Sequence, residues 1–427
     1  MRLTPPLKST LTKESVSYPK RITVSNIETE KRSVYMPDSS RATELTAQVK
    51  EILRNALVSD NVTVAEDSAQ WENALQSKSI YVEYPVAFDT AIFASILELE
   101  LSPTPAAKLV REFIISGADT VSSAVTVYVR DAGTGQVYVA PVRYDKQQLI
   151  SMIDTYATDS IGDHRFSVEL KFNDAGGGIN DGQVQQSVVL SPNVLLALRE
   201  QPYPMVKETN LLFDHEYKEE LVQNILIAFG FNTSGIRRYV ESDNSLVYVE
   251  NYGTIKLHEN GWMEYRALDA EKGFALSAES GATQYDSFIS AIDFVNSLWE
   301  EAVPGIPLNL NLSSNVTDEK NKAFSVYLDY SAGGAKISDP VSHAIEIQIV
   351  NNRIVSYKQK FAYFETTDEM ARYSTAIDAI NLLLSQQRPD VTQINDIFMV
   401  YDFSGSTLWR PTWAARTGSG EEFVIGH

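Results

Sequence analysis

Apolar positions along the chain follow two rhythms, and the change from one to the other marks out the elements. Val125, Val127 and Val129 alternate with Thr126, Tyr128 and Arg130, reach the turn Asp131–Gly135, and are answered by Val137–Val142. Period-two alternation on both sides of a glycine turn predicts a hairpin over Ser123–Tyr144. Further on, Ile345, Ile347 and Ile349 share one face and Glu346 and Gln348 the other, before Asn351-Asn352 and a returning strand Ile354–Tyr363. The helical rhythm appears at Leu45, Val49, Ile52, Leu53 and Leu57, behind a cap at Ser39 or Ser40, and again over Asp145–Tyr156 and Tyr285–Glu300.

The remaining pattern is read the same way. Short strands are expected at Arg21–Val24, Arg32–Met36, Val62–Ala65 and Ile80–Tyr84, with short helices at Ser68–Leu75 and Phe88–Leu99. Phe166–Phe172 alternates as a strand, and Asn173–Gly182 is a Gly- and Asp-rich loop. Pro202-Tyr203-Pro204 resists both helix and strand and is expected to close a domain. Beyond it, Asp214 caps a helix whose first turns carry Glu216, Glu219 and Glu220, where carboxylates favour the dipole. Four strands follow, Ile236–Glu241, Leu246–Glu250, Thr254–His258 and Trp262–Leu268, with Asn260-Gly261 expected to make a type I′ turn. A second meander, Pro307–Leu312, Phe324–Tyr330, Ala344–Val350 and Ile354–Tyr363, leads to a helix Thr367–Leu384 and a closing hairpin, Ile397–Asp402 with Thr407–Thr412, over Gly405.

Strands grouped with strands predict an α+β fold of antiparallel meander sheets with packed helices, not a doubly wound sheet. The expected division is a tether at residues 1–18 and three domains: 19–204, 205–302 and 303–427, the last two reading as divergent copies of one unit by element order.

Composition narrows the function. The 427 residues hold 56 acidic and 36 basic side chains, a formal charge of -20, which opposes nucleic acid or a bare anionic bilayer. Hydrophobic residues at 44% and charged ones at 22% suit a folded chain. With no cysteine, thiol catalysis, disulfides and thiolate metal sites are excluded. Asp89–Leu101 is the longest apolar-rich stretch, too short and too acidic for a membrane span. The polar run Met1–Tyr18 reads as a tether or a segment that begins just after an anchor.

Candidate chemistry is sparse. His215 and Glu219 share a helix face but lack a second histidine, so an acid-rich helix start is preferred to a metal site. Ser17-Tyr18-Pro19-Lys20 has Ser-x-x-Lys spacing without its helical setting. Gly133-Thr134-Gly135 is a turn, not a dinucleotide loop. A calcium ion in Asn173–Gly182 matches no ligand spacing. No catalytic residue, cofactor or metal is expected, and a hydrolase would need a carboxylate pair buried together with perturbed pKa values. Aromatic residues carry more information: Tyr327 and Tyr357 on the last meander, and Trp409-Arg410-Pro411-Thr412-Trp413 near the end. Core packing is the first reading of such strand aromatics. The alternative is a protein-contact face, for which Trp409, Arg410, Trp413, Tyr327 and Tyr357 are the candidates, with Pro411 placing the run at a sheet edge.

Leu246–Tyr265, with Asn260-Gly261, Trp262 and Tyr265, resembles the YycH family, as does His343–Phe364 around Asn351-Asn352. The order Ile22-Thr23-Val24, helix, Trp71, Ile80–Pro85 is similar too. The resemblance implies three domains, the last two alike, and an outer-surface location behind an N-terminal membrane helix that this chain lacks. It implies modulation of the sensor histidine kinase of the YycF/YycG (WalR/WalK) two-component system of Gram-positive bacteria, together with a YycI-like regulator. A homodimer is compatible with it. A surface lipoprotein binding a peptide or cell-wall fragment is the alternative, and it would need a real aromatic-lined pocket.

Overall fold

The structure is a computed structural model, and it describes residues 11–12, 16, 18–36, 40–99, 106–117, 125–158, 163–170, 188–200, 202–212, 218–277, 283–318, 323–338, 342–386, 391–402 and 408–425. The chain forms two compact units. The first comprises Met1–Ser17, Pro204–Glu369 and Tyr401–Arg410; the second Tyr18–Tyr203, Met370–Val400 and Pro411–His427. The three-domain division stays a proposal about this α+β architecture.

The second unit is built on a seven-stranded antiparallel sheet. Its strands are β1 (Arg21–Asn26), β2 (Lys31–Tyr35), β3 (Thr63–Val64), β4 (Ser79–Asp89), β5 (Leu109–Ser116), β6 (Val125–Asp131) and β7 (Val137–Val142), in the order β2-β1-β4-β5-β6-β7-β3. Helices α1 (Ser40–Leu57), α2 (Ala69–Leu75), α3 (Thr90–Ile96) and α4 (Lys146–Tyr156) accompany it. The β6–β7 hairpin forms as its alternation predicts, Val125 opposite Val142 and Val127 opposite Ala140. Asp131 holds its turn by accepting from the amides of Gly133 and Thr134, each at 2.9 Å. Trp71 of α2 packs in one buried cluster with Tyr81, Ile114 and Phe166. Three short strands follow, β8 (His164–Phe166), β9 (Val189–Leu190) and β10 (Leu195–Ala197).

Strand β11 (Pro202–Asn210) leads into the first unit. There α5 (Lys218–Ala228) precedes β12 (Arg237–Val240), β13 (Leu246–Glu250), β14 (Gly253–Leu257), β15 (Trp262–Ala267) and β16 (Phe274–Ala275). After α6 (Gln284–Ala302) come β17 (Leu310–Asp318), β18 (Ala323–Ala332), β19 (Ala335–Ser338), β20 (Ile345–Val350), β21 (Arg353–Lys360) and β22 (Ala362–Arg372). The two meanders join side by side: β12-β13-β14-β15-β21-β20-β18 is one antiparallel run, and β17 pairs with β18. The β15–β21 seam sets Tyr265 opposite Tyr357. One face of this sheet receives both helices. Phe288 of α6 meets Phe324 at 6.1 Å, Phe294 meets Tyr357 at 5.7 Å, and Phe229, just past α5, stacks on Tyr265 at 4.6 Å. Edge and offset contacts of this kind add to the area buried, about 0.5–1.5 kcal/mol a pair.

The last elements are α7 (Ala376–Ser385), β23 (Gln393–Asp402), β24 (Leu408–Thr417) and β25 (Glu422–Val424). Ile380 and Leu383 of α7 join Leu190, Val194, Ile394, Ala415 and Ile425 in a second buried cluster of the second unit. Helices α6 and α7 open on the same device: Thr283 with Asp286, and Thr375 with Asp378, form reciprocal capping boxes.

Several expectations give way. Pro202–Pro204 does not resist a strand but opens β11, whose first residues tolerate proline, and the two units do divide there, between Tyr203 and Pro204. The strand expected over Phe166–Phe172 does not form among its described residues: Phe166 ends β8, and the chain then turns through a 3-10 segment, Ser167–Leu170. Glu169 pulls it round by accepting from the Phe166 amide at 2.7 Å and pairing bidentately with Arg32 at 2.6 and 2.9 Å. Strand β4 runs past Pro85 to Asp89, so the helix expected over Phe88–Leu99 shrinks to α3. Asp89 caps it, accepting from the Ala91 amide at 2.8 Å. The helix expected from Thr367 begins only at Ala376, since β22 occupies the acidic stretch to Arg372. The expected strand Ile354–Tyr363 is two, β21 and β22, broken at Phe361, whose amide bonds to the Gly261 carbonyl at 2.8 Å. Asn351 and Asn352 both take positive φ, 48° and 58°, as a type I′ turn requires. Asn260-Gly261 does not: only Gly261, at 89°, is left-handed. The Gly261 amide bonds to the His258 carbonyl at 3.0 Å, a type I turn with its glycine in the bulge position. Asp214, His215, Glu216, Gly405, Ser17 and the loop 173–182 lie outside the described residues.

Candidate protein-contact site

Strand register decides which side chains share the face of the first unit's sheet that the helices leave open. Directly paired residues of antiparallel strands point to the same side. Tyr327 lies opposite Glu346, Glu346 opposite Lys358, Lys358 opposite Glu264, and Glu264 opposite Lys256. A ladder of alternating charge therefore crosses β20, β21, β15 and β14, with Tyr327 on β18 at one end. A parallel row runs Ser325, Gln348, Ser356, Arg266 and Thr254. These side chains are half-buried or exposed, while their strand neighbours Val326, Ile347, Tyr357, Tyr265 and Ile255 are buried toward the helices. Both helices of this unit pack on that buried side among the described residues, so the polar side is a continuous sheet surface without helical cover.

Local contacts hold the surface in shape. The Lys358 ammonium lies 4.3 Å from the centre of the Trp262 ring and donates to Ser342 Oγ at 3.1 Å. Lys256 Nζ bonds to Glu241 at 2.8 Å and Asp243 at 3.1 Å. His258 Nε2 stands 3.5 Å from Glu264 Oε1. At the Tyr327 end, the Asp329 carboxylate, 3% exposed, is held by Lys336 Nζ at 2.8 Å, His343 Nδ1 at 3.1 Å and the Ala344 amide at 3.2 Å. Burial alone would raise the Asp329 pKa; the His343 hydrogen bond and the Lys336 charge reverse this and hold it well below the usual carboxylate range. The Tyr327 ring sits 5.1 Å from the His343 ring.

The five aromatic and arginine candidates do not form one patch. Tyr327 is half-buried on the open face and Arg410 is exposed. Tyr357 is fully buried: its ring packs against Phe229 and Phe294 and its hydroxyl donates to Gln359 Oε1 at 2.6 Å. Trp409, 2% exposed, donates from Nε1 to Glu208 at 2.9 Å and meets Phe364 edge-on at 5.5 Å. Both are thus core residues of their unit and offer no surface to a partner. Trp413 belongs to the second unit, half-buried against its aliphatic cluster, with Nε1 donating to the Ser374 carbonyl at 3.0 Å. The Pro411 run is not at a sheet edge, because β24 lies between β23 and β11 in the strand order; Pro411 itself falls between Leu408 and Trp409, which pair with β11, and Ala414–Arg416, which pair with β25. The aromatic lining around Trp409, formed by Trp262, Tyr330, Phe364 and the Lys360 stem, encloses a cavity of about 10 Å³, room for one water and not for a peptide or sugar.

The second unit holds a carboxylate pair that register and spacing did not announce. Glu83 and Asp396 are 2% and 3% exposed. Lys20 reaches both, at 3.4 and 2.8 Å; Arg21 pairs with Glu83 at 2.5 Å and Arg111 with Glu83 at 2.7 Å; Arg416 lies 3.5 Å from Asp396 and 2.7 Å from Glu422. Burial would raise both carboxyls, but the Arg21, Lys20 and Arg111 charges lower Glu83 to about 2, and Lys20, Arg21 and Arg416 hold Asp396 well below the ordinary range. Both stay ionised at neutral pH, so the pair supplies no general acid of the kind a hydrolase needs. Lys20, the lysine of the Ser-x-x-Lys spacing, is spent in this network. The sign of these residues in the sequence is a charge inside an apolar strand: Glu83 follows Ile80-Tyr81-Val82, Arg111 precedes Phe113, and Asp396 stands between Ile394 and Ile397.

The class these features define is a multi-domain α+β protein of antiparallel sheets with packed helices. Among solved structures, YycH from Bacillus subtilis matches with a TM-score of 0.58 over 98% of this chain and 98% of that one, at 12% identity. The chain shares the YycH fold from end to end. An uncharacterized protein from Eubacterium rectale ATCC 33656 matches at TM-score 0.35 and 13% identity, covering 53% of this chain and 87% of its own, a likeness too low to carry an argument. No family model and no curated protein matches the chain. Among the described residues no helix is long and apolar enough to cross a membrane.

Proposed function

We propose that this protein is a non-enzymatic extracytoplasmic regulator that modulates a membrane sensor histidine kinase of a two-component system through protein–protein contacts. The observation that carries this reading is the YycH fold over 98% of the chain, where a shared fragment would have carried much less. Support from chemistry is indirect: the buried Glu83–Asp396 pair is ion-paired, and the aromatic cavity holds about one water. The contact surface in this reading is the uncovered sheet face with Tyr327, Glu346, Lys358 and Glu264. Regulation requires the protein to bind one state of the kinase better than the other, since a ligand shifts an equilibrium only by that difference.

The test is to express the gene from its natural start in a Gram-positive host, separate membranes from the outer medium, and purify by a C-terminal tag. Co-purification of a sensor kinase, and a change in its autophosphorylation rate in vesicles when the protein is added, is the expected result. A protein that associates with no membrane kinase overturns the reading.

A further inference from the structure

The uncovered sheet ends in an unusual strand. All four residues of β12, Arg237, Arg238, Tyr239 and Val240, are exposed, with Tyr239 and Val240 at 50% and 59%. The strand pairs on one side only, with β13, in the register Arg237–Val249 to Val240–Leu246, and it terminates the run among the described residues. The Glu241 amide donates to the Ser245 carbonyl at 3.0 Å, continuing that register. Ladder bonding alternates along an antiparallel strand, so Glu241, Tyr239 and Arg237 face β13. The N–H and C=O groups of Arg238 and Val240 therefore point away from the sheet, an open row of donors and acceptors.

Charge along this edge is graded. Arg237 and Arg238 stand at its start, in a chain whose formal charge is -20. At its end, Glu241 and Asp243 share the single Lys256. Screening over about 8 Å makes these neighbours, and not the distant net charge, decide what the edge accepts. We infer that β12 is a docking edge for an extended acidic peptide segment of a partner protein, which adds to the sheet as an antiparallel strand. Antiparallel pairing sets the partner's N-terminal half against Glu241 and Asp243 and its C-terminal half against the two arginines. The fitting segment is thus neutral or basic first and acidic afterwards, with an apolar residue to meet Tyr239 or Val240, which point to opposite faces of the sheet. A second copy of this chain is the competing occupant, since its own β12 runs from Arg237 and Arg238 to Glu241 and Asp243 in the same charge order, and the test separates the two. This inference concerns the strand edge and stands apart from the kinase reading.

The test uses the full chain and a fluorescein-labelled synthetic nonapeptide of alternating valine and threonine, with a lysine near its N-terminus and two glutamates in its C-terminal half. Fluorescence anisotropy is expected to show saturable binding that weakens by about tenfold or more in R237E/R238E, and that is restored there by a peptide with lysines in place of the glutamates. Val240→Pro is the sharper variant. It removes an outward N–H and no ladder bond to β13, so the fold stays intact by circular dichroism while peptide binding is lost. No saturable binding up to about 1 mM, or equal binding by Val240→Pro, overturns the inference. So does sedimentation showing that the chain dimerises through β12, since a second copy then occupies the edge. Kinase co-purification by a chain that binds none of these peptides would leave the regulatory reading standing while this one falls.

Discussion

The two buried carboxylate clusters, Glu83 with Asp396 in the second unit and Asp329 in the first, look alike and are built for different settings. Glu83 and Asp396 draw on four cations from three separate stretches: Lys20 and Arg21, Arg111, and Arg416. Those cations are themselves 11–26% exposed. Asp329 is as deeply buried, but its partners Lys336 and His343 come from nearby chain and are 18% and 36% exposed. The first arrangement joins the beginning and end of one unit and has no slack. The second sits beneath a half-open surface, where its partners can return to water. What separates them is the fate of the partners once the acid is removed, and that difference can be measured.

The largest effect is expected at Glu83. Glu83→Gln leaves Arg21 and Arg111 facing a neutral group in a buried site, and stability should fall by about 3–5 kcal/mol in urea unfolding. Adding Arg111→Met should return part of the loss, since a buried charge without its partner is the main cost; a strictly additive double variant would break this account. Asp329→Asn should cost less, about 1–3 kcal/mol, because Lys336 and His343 can be resolvated. If the two single variants cost the same, the contrast between the clusters is wrong.

Acid sharpens the comparison. Glu83 titrates near 4.5 when unfolded and near 2 when folded, so the native state binds fewer protons between these values. Its contribution is complete above pH 4.5 and is lost as pH falls toward 2; Asp396 and Asp329, also lowered, act in the same direction. Unfolding free energy against pH should be level above about pH 5 and drop steeply below it. Glu83→Gln should flatten that drop more than Asp329→Asn does. A drop unchanged in Glu83→Gln would assign acid sensitivity elsewhere. The smallest effect belongs to the open face: Lys358→Met keeps the stem on Trp262, loses the cation–ring attraction and the half-exposed bond to Ser342, and should change stability by about 0.5–1 kcal/mol.

Much of the scaffold is legible in the sequence where local chemistry decides. The β6–β7 alternation, the Asn351-Asn352 turn, the helical period of α1 and the strand order of the two meanders stand as read. Reading fails where a distant group intervenes. Phe166–Phe172 alternates like a strand, but Arg32, over a hundred residues earlier, holds Glu169 and bends the chain. Acidic β22 reads as helix because its pairing partners are invisible to propensity. Trp409 and Tyr357 are apt contact residues by type, and only packing shows both to be core. The ion network spans up to 376 residues of sequence, so no spacing rule could assemble it. Its sole trace is a charge placed inside apolar strands.

Contact between the uncovered sheet face of the first unit and a membrane sensor kinase is the proposal most open to direct test. The most direct measurement places a photocrosslinking residue at Gln348 or Arg266, both exposed on that face, and at Gln147, exposed on α4, in the natural full-length protein within its own membranes. Mass spectrometry of the adducts should identify a sensor histidine kinase joined at Gln348 and Arg266 and absent at Gln147. Kinase adducts at Gln147 alone, or none from the sheet face, would contradict the account.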